Sequence, residues 1–94
     1  MNRQELIENL NQLGVKPKHY TLENESYKDS SIVMEYSHNY FSPDKKYDVW
    51  NVFRFERGAH NDERTFYSEN EACLYVYEKL KRHQEIIIKF NLKD

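Results

Sequence analysis

The stretch from Tyr47 to Leu80, YDVWNVFRFERGAHNDERTFYSENEACLYVYEKL, constrains the fold more than any other part of the chain. It opens with a period of two. Over residues 47–56, Tyr47, Val49, Asn51, Phe53 and Phe55 fall on one side of an extended strand. Asp48, Trp50, Val52, Arg54 and Glu56 fall on the other. The first set is predicted to face the core, Asn51 apart, and leaves Trp50 and Val52 exposed or covered by another element. Gly58 and the run AHNDE supply a turn, and Arg64 to Tyr67 return as a short strand. The period then changes. Ala72, Cys73, Val76, Tyr77 and Leu80 recur at helical steps and mark a buried stripe, with Glu78, Lys79, Lys81 and Arg82 on the polar face. Ser68-Glu69-Asn70-Glu71 precedes them as a capping box. The helix is predicted through about residue 85, and IIIKF beyond it suits either more helix or a terminal strand. A strand and a helix joined this closely bury each other's apolar faces.

The first half of the chain supplies the remaining elements. Leu6, Ile7, Leu10 and Leu13 share one stripe of a helix over residues 2–13. Gly14 fits the left-handed position past its end, with Val15 able to touch Leu10 as in a Schellman cap, and Pro17 prevents continuation. Residues 19–22 form a possible short strand, and 23–30 a polar loop. Over 31–37, Ile32, Met34 and Tyr36 alternate with Val33, Glu35 and Ser37, a half-buried strand. The loop HNYFSPDKK follows, with Ser42-Pro43-Asp44 as its turn signal. The expectation is a single α+β domain over residues 1–94. It has an N-terminal helix, an antiparallel sheet of three or four strands and a long C-terminal helix packed on the sheet.

Composition sets the limits. A mean hydropathy of -1.02 with 32% charged residues leans toward disorder, but 15% aromatic residues can build a compact core. The formal net charge is -2. That balance disfavours general nucleic-acid binding, which needs a basic face to displace counterions. Residues 1–71 hold 9 Lys/Arg and 13 Asp/Glu, a net of -4, whereas residues 72–94 hold 5 and 3, a net of +2. A mildly acidic sheet portion suits a basic partner. Cys73 is the only cysteine, so no internal disulfide forms. The polar N-terminus MNRQELIENL and the lack of a long apolar run point to a cytoplasmic protein without a membrane span.

The residue chemistry favours binding over catalysis. His19, His38, His60 and His83 are scattered, with no pair at the i, i+4 spacing that places two ligands on one metal. His60-Asn61-Asp62-Glu63 reads as a polar turn, and Cys73 as a small buried hydrophobe on a helical stripe. His38, His60, Glu56 and Arg57 hold the residue types of a small nuclease, but an acidic chain repels phosphate. Tyr36, Trp50, Phe53 and Phe55 on one sheet read as core before they read as a base-stacking platform. No enzyme activity, cofactor or metal is expected. Asp44, Asp48, Glu56, Asp62 and Glu63 border the central strand, interspersed with Tyr40, Tyr47 and Trp50. Such an acidic rim with aromatic anchors has the makings of a protein interface.

The run Trp50-Asn51-Val52-Phe53-Arg54-Phe55-Glu56-Arg57-Gly58 is followed by Phe66, Ser68-Glu69-Asn70-Glu71-Ala72-Cys73, Tyr75 and Leu80. Together they resemble small bacterial immunity proteins encoded beside polymorphic or contact-dependent toxins. The similar pattern there is a strand W-x-V-x-x-x-E-R-G, a Phe before the helix, and a helix opening E-x-E-A-C. The resemblance implies a non-catalytic, cytoplasmic protein that binds and neutralises a cognate toxin domain, commonly a nuclease, by occluding its cleft. Asp48, Trp50, Glu56, Asp62 and Glu63 are the contact candidates. Within the motif, Glu56-Arg57-Gly58 reads either as a structural turn, with Arg57 pairing a carboxylate, or as part of the toxin-binding face. The alternative function is a small adaptor or regulatory module that binds a protein without blocking an enzyme.

Overall fold

The alternating and helical segments become six main elements in a computed structural model, which describes residues 1–22, 26–42 and 45–91, with 39–42 and 45–47 described through the backbone alone. They run α1 (Arg3–Leu13), a 3-10 turn (Pro17–His19), β1 (Tyr20–Leu22), β2 (Ser31–Ser42), β3 (Lys45–Glu56), β4 (Ala59–Phe66) and α2 (Glu69–Phe90). The four strands form one sheet in the order β1-β2-β3-β4. β2, β3 and β4 are antiparallel neighbours, while β1 runs parallel to β2, so the sheet is mixed. The parallel pair is brief, with Tyr20, Thr21 and Leu22 set against Ile32, Val33 and Met34. Hydroxyl pairing between buried Thr21 and Ser31 locks it, and the Lys28 ammonium donates to the carbonyls of Pro17 and Tyr20.

Helix α1 begins at a capping box not foreseen in the sequence. The Asn2 side chain accepts from the Glu5 amide at 2.9 Å, and the Glu5 carboxylate accepts from the Asn2 amide at 3.2 Å. It ends at Gly14 (φ 81°), where the Val15 amide reaches the Leu10 carbonyl as the Schellman pattern requires. In α2 only half of the expected box forms. Ser68 Oγ accepts from the Glu71 amide, but the neighbouring Glu69 carboxylate turns to the Arg3 amide at 2.8 Å. That bond ties the starts of the two helices together, and Gln84 touches the carbonyl of Gly14 at the other end of α1. The helices therefore run parallel, side by side.

Both helices lie on the sheet face bearing Trp50 and Val52, opposite to the face that strand alternation alone favours. Ala72, Cys73, Val76 and Leu80 of α2 and Leu6 and Leu10 of α1 pack with Ile32, Met34, Trp50 and Val52 in one buried cluster. Each of the Leu, Ile, Val and Met side chains among them contributes on the order of 2 kcal/mol on burial. Val33, Val49 and Phe53 are also buried, but on the far face and outside this cluster. Tyr27 sits edge-on to Phe53 and Phe55, and His60 stacks flat on Phe53 at 3.9 Å between centroids.

Two boundaries differ from expectation. Residues 38–42 and 45–46, read as loop, continue β2 and β3, so the two strands pair from Ser31–Phe55 to Ser42–Lys45, with a register shift between Tyr40 and Ser42. Pro43 and Asp44 lie outside the described residues. The run AHNDE, read as turn, is the first part of β4. The reversal is compressed into Arg57 and Gly58, with φ values of 49° and 78°, as in a type I′ hairpin. Asp29 accepts from the Arg57 amide at 2.7 Å. Glu56-Arg57-Gly58 is therefore a structural turn, held through its backbone amide. β4 carries a bulge, since two residues, Asp62 and Glu63, fit between the pairs Val52–Arg64 and Arg54–Asn61. α2 extends through the Ile-rich segment to Phe90.

Truncating Met34 to Ala should cost about 2–4 kcal/mol in denaturant unfolding, because it leaves a cavity beneath α2; a cost below about 1 kcal/mol contradicts this core. Arg57→Asn should raise the melting temperature by a few degrees, since Asn tolerates the left-handed conformation that Arg resists. A drop would contradict the turn assignment.

Candidate functional site

The β2–β3 hairpin is longer than its neighbours, and α2 begins beside Trp50 rather than at the hairpin's far end. Among the described side chains, Tyr36, His38 and Asp48 stand at this end of the helix-facing side. Alternation along β2 brings Tyr36 and His38 to this side, and register sets them against Trp50 and Asp48 of β3. Tyr36 and Trp50 meet at 5.2 Å between ring centroids, tilted by 39°. The Tyr36 hydroxyl donates to Oδ1 of Asp48 at 2.9 Å, and His38 Nδ1 lies 2.7 Å from the same oxygen. These two hydrogen bonds, His38 first and Tyr36 second, hold the Asp48 carboxyl below the usual aspartate range. An ionised carboxylate only accepts, so in the His38 bond the hydrogen sits on Nδ1.

Glu69, at the first turn of α2, completes the arrangement. With Tyr36, Asp48 and Trp50 it lines a shallow notch of about 240 Å³. Two carboxylates flank an aromatic floor, and the first turn of a helix favours a negative charge. The chemistry suits a cationic side chain, which would meet carboxylate oxygens and ring faces together. Asp48 and His38 are about half exposed, at 49% and 51%, so a partner reaches them from solvent.

The five sequence-derived candidates do not form one surface. Asp48 and Trp50 share the notch, although Trp50 is only 9% exposed and serves as its wall rather than as a protruding anchor. Glu56 lies eight residues further along β3, roughly 26 Å away at strand spacing. There it pairs with Arg54 at 3.4 Å near His19 and His83. Asp62 and Glu63 occupy the β4 bulge beside Arg64, Tyr75 and Lys79. Asp44 lies outside the described residues, and so do the side chains of Tyr40 and Tyr47. Sequence reading missed Tyr36, His38 and Glu69 as members of the site. The signal for the first two was present, since Ile32, Met34, Tyr36 and His38 continue one alternation. Glu69 gave none, because its residue type at that place already fits a helix start. Among the described residues no three His, Cys, Asp or Glu side chains gather as a metal site would require.

No protein-family model matches the chain, and neither a curated protein nor a solved structure does. No helix among the described residues is long and apolar enough to cross a membrane.

A titration of the Asp48 carboxyl followed by NMR should have its midpoint below the ordinary aspartate value of about 3.9. A depressed pKa means that Asp48 adds stability above the usual carboxylate range, and that this contribution is lost as pH falls through it. His38→Gln with Tyr36→Phe should move the midpoint back up. A midpoint at or above the ordinary value in the unaltered protein contradicts the geometry.

Proposed function

We propose that the chain is a non-catalytic protein-binding module of the immunity type, which neutralises a cognate toxin domain in the cytoplasm by covering its active cleft. The observation that carries this reading is the notch. The hydrogen bonds from His38 and Tyr36 favour the ionised form of Asp48, which lines the notch together with Tyr36, Trp50 and Glu69. Nucleases hold their substrate's phosphates with Arg and Lys, and those groups fit this notch. A lysine or arginine drawn out of a nuclease cleft would lose its phosphate contact on binding here.

Three further features support the reading. The acidic charge of residues 1–71 speeds association with a basic surface. The motif Trp50 to Gly58 with Ser68 to Cys73 resembles immunity proteins. Its Glu56-Arg57-Gly58 portion is accounted for by the hairpin turn, which leaves the notch as the feature that packing does not require. Asp48 and His38 could be replaced by ordinary strand residues without loss of the core, since neither belongs to the buried cluster.

Co-expression with the toxin encoded by the adjacent upstream gene should give a stoichiometric complex and abolish toxicity. Asp48→Lys should weaken that complex by about tenfold or more, with the fold intact by circular dichroism. The affinity of the unaltered pair should fall as salt rises. A neighbouring toxin that is neither bound nor inhibited defeats the proposal. A complex indifferent to Asp48→Lys moves the contact surface away from the notch.

A further inference from the structure

A second surface lies on the flank of α2 that faces β3 and β4. Tyr75, Lys79, Arg82, Ile86 and Phe90 follow one another at steps of three and four residues, so they line one side of the helix. Arg64 stands opposite on β4. Its guanidinium lies 5.5 Å from the centre of the Tyr75 ring, and the Lys79 ammonium lies 5.1 Å from the same centre. Tyr75 thus holds two cations at one spot. A cavity of about 300 Å³ is lined by these three residues with Glu78 and Arg82. A neighbouring cavity of about 180 Å³ shares Lys79 and Arg82 and is lined further by Arg54, His83 and Ile86, so the two adjoin as one groove-like surface along α2. Among the described residues no carboxylate pairs with Arg64, Lys79 or Arg82. The line then turns apolar, where Ile86 and Phe90 are 47% and 62% exposed.

We propose that this groove docks a segment of a partner protein in which carboxylates stand beside aliphatic side chains. Arg64, Lys79 and Arg82, which have no ion-pair partner among the described residues, call for negative charge, and two of them lie by one ring. Ile86 and Phe90 at the end of the groove call for an apolar group. A phosphodiester backbone fits less well. Asp62, Glu63 and Glu78 line cavities with Arg64 and Lys79 and repel a dense line of phosphates more than a segment with isolated carboxylates, and the chain carries a net charge of -2. Addition of a strand to the open edge of β4 is also disfavoured, because the bulge at Asp62 and Glu63 breaks the run of backbone groups that a new strand needs. The occupant instead lies across the side chains, between α2 and the helix-facing side of β4. This surface is separate from the Asp48 notch and does not depend on the toxin reading.

The test is a titration of the full chain with a short labelled peptide of Glu and Leu, followed by fluorescence anisotropy and by backbone amide shifts. A Lys-for-Glu peptide and a single-stranded RNA serve as comparisons. The Glu-Leu peptide should shift the amides of Arg64 and of residues 75–90, and should bind more weakly as salt rises. Arg64→Glu with Arg82→Glu should reduce its affinity by about tenfold or more. The milder pair Arg64→Gln and Arg82→Gln should lower it less, and Asp48→Lys should not lower it at all. If the Glu-Leu peptide leaves these amides unmoved, or the Lys-Leu peptide binds equally well, the proposal is overturned. Tighter binding of the RNA at the same residues also overturns it and makes the groove a phosphate site.

Discussion

The packing of one stripe of α2 on the Trp50–Val52 face of the sheet decides everything else in this structure. Ala72, Cys73, Val76 and Leu80 are buried against the cluster that holds Ile32, Met34, Trp50 and Val52, and α1 is drawn in through Leu6 and Leu10. Choice of this face follows from counting two strands rather than one. On β3 alone the face of Tyr47, Val49, Phe53 and Phe55 is the more aromatic. Once β2 is paired, that face places Glu35 opposite Asn51, and Ser37 opposite Val49. The other face brings Ile32, Met34, Tyr36, Trp50, Val52 and Phe66 together, and its arginines, Arg54 and Arg64, sit opposite Ile32 and Val52. A helix gains more apolar contact there, and the far face is left to local cover by Tyr27 and His60.

Mismatch of element lengths then creates the surfaces available for function. β2 and β3, at twelve residues each, reach roughly 40 Å, and α2, at twenty-two residues, roughly 33 Å. The two overlap only in part, because α2 starts near Trp50 and runs toward Glu56. At one end the hairpin outruns the helix, where Tyr36, His38 and Asp48 stand. At the other the helix outruns the sheet and leaves Ile86, Ile88 and Phe90 exposed. The charges differ between these regions as well. Carboxylates mark the start of α2, and cations mark its middle, an arrangement that complements the helix dipole at the acidic end.

Much of the architecture was legible because its signals are local. Gly14 and Val15 spell the end of α1, Ser68 spells the start of α2, and the stripe from Ala72 to Leu80 needs no knowledge of its partner. Strand ends were less legible. His38 and Asn39 look like loop residues, and only pairing with Asp48 and Tyr47 keeps them extended. Arg57 gave no turn signal, since an arginine at positive φ contradicts local preference; Gly58 and the Asp29 carboxylate make it tolerable. The site was legible only in fragments. Asp48 and Trp50 line one notch, but Glu56, Asp62 and Glu63 join them in sequence and not in space. Cross-strand register, which brings His38 and Tyr36 to Asp48, cannot be counted along one strand.

Trp50 is the only tryptophan of the chain, and it belongs both to the core and to the wall of the acidic notch. Its fluorescence therefore tests the central claim directly. Trp50 should show the blue-shifted emission of a buried indole, weak quenching by iodide and stronger quenching by caesium, because Asp48 and Glu69 repel the anion and attract the cation. Neutralising Asp48 and Glu69 together should bring the two quenchers closer. A red-shifted emission quenched equally by iodide and caesium would place Trp50 in open solvent, and would contradict both the chosen sheet face and the charged notch beside it.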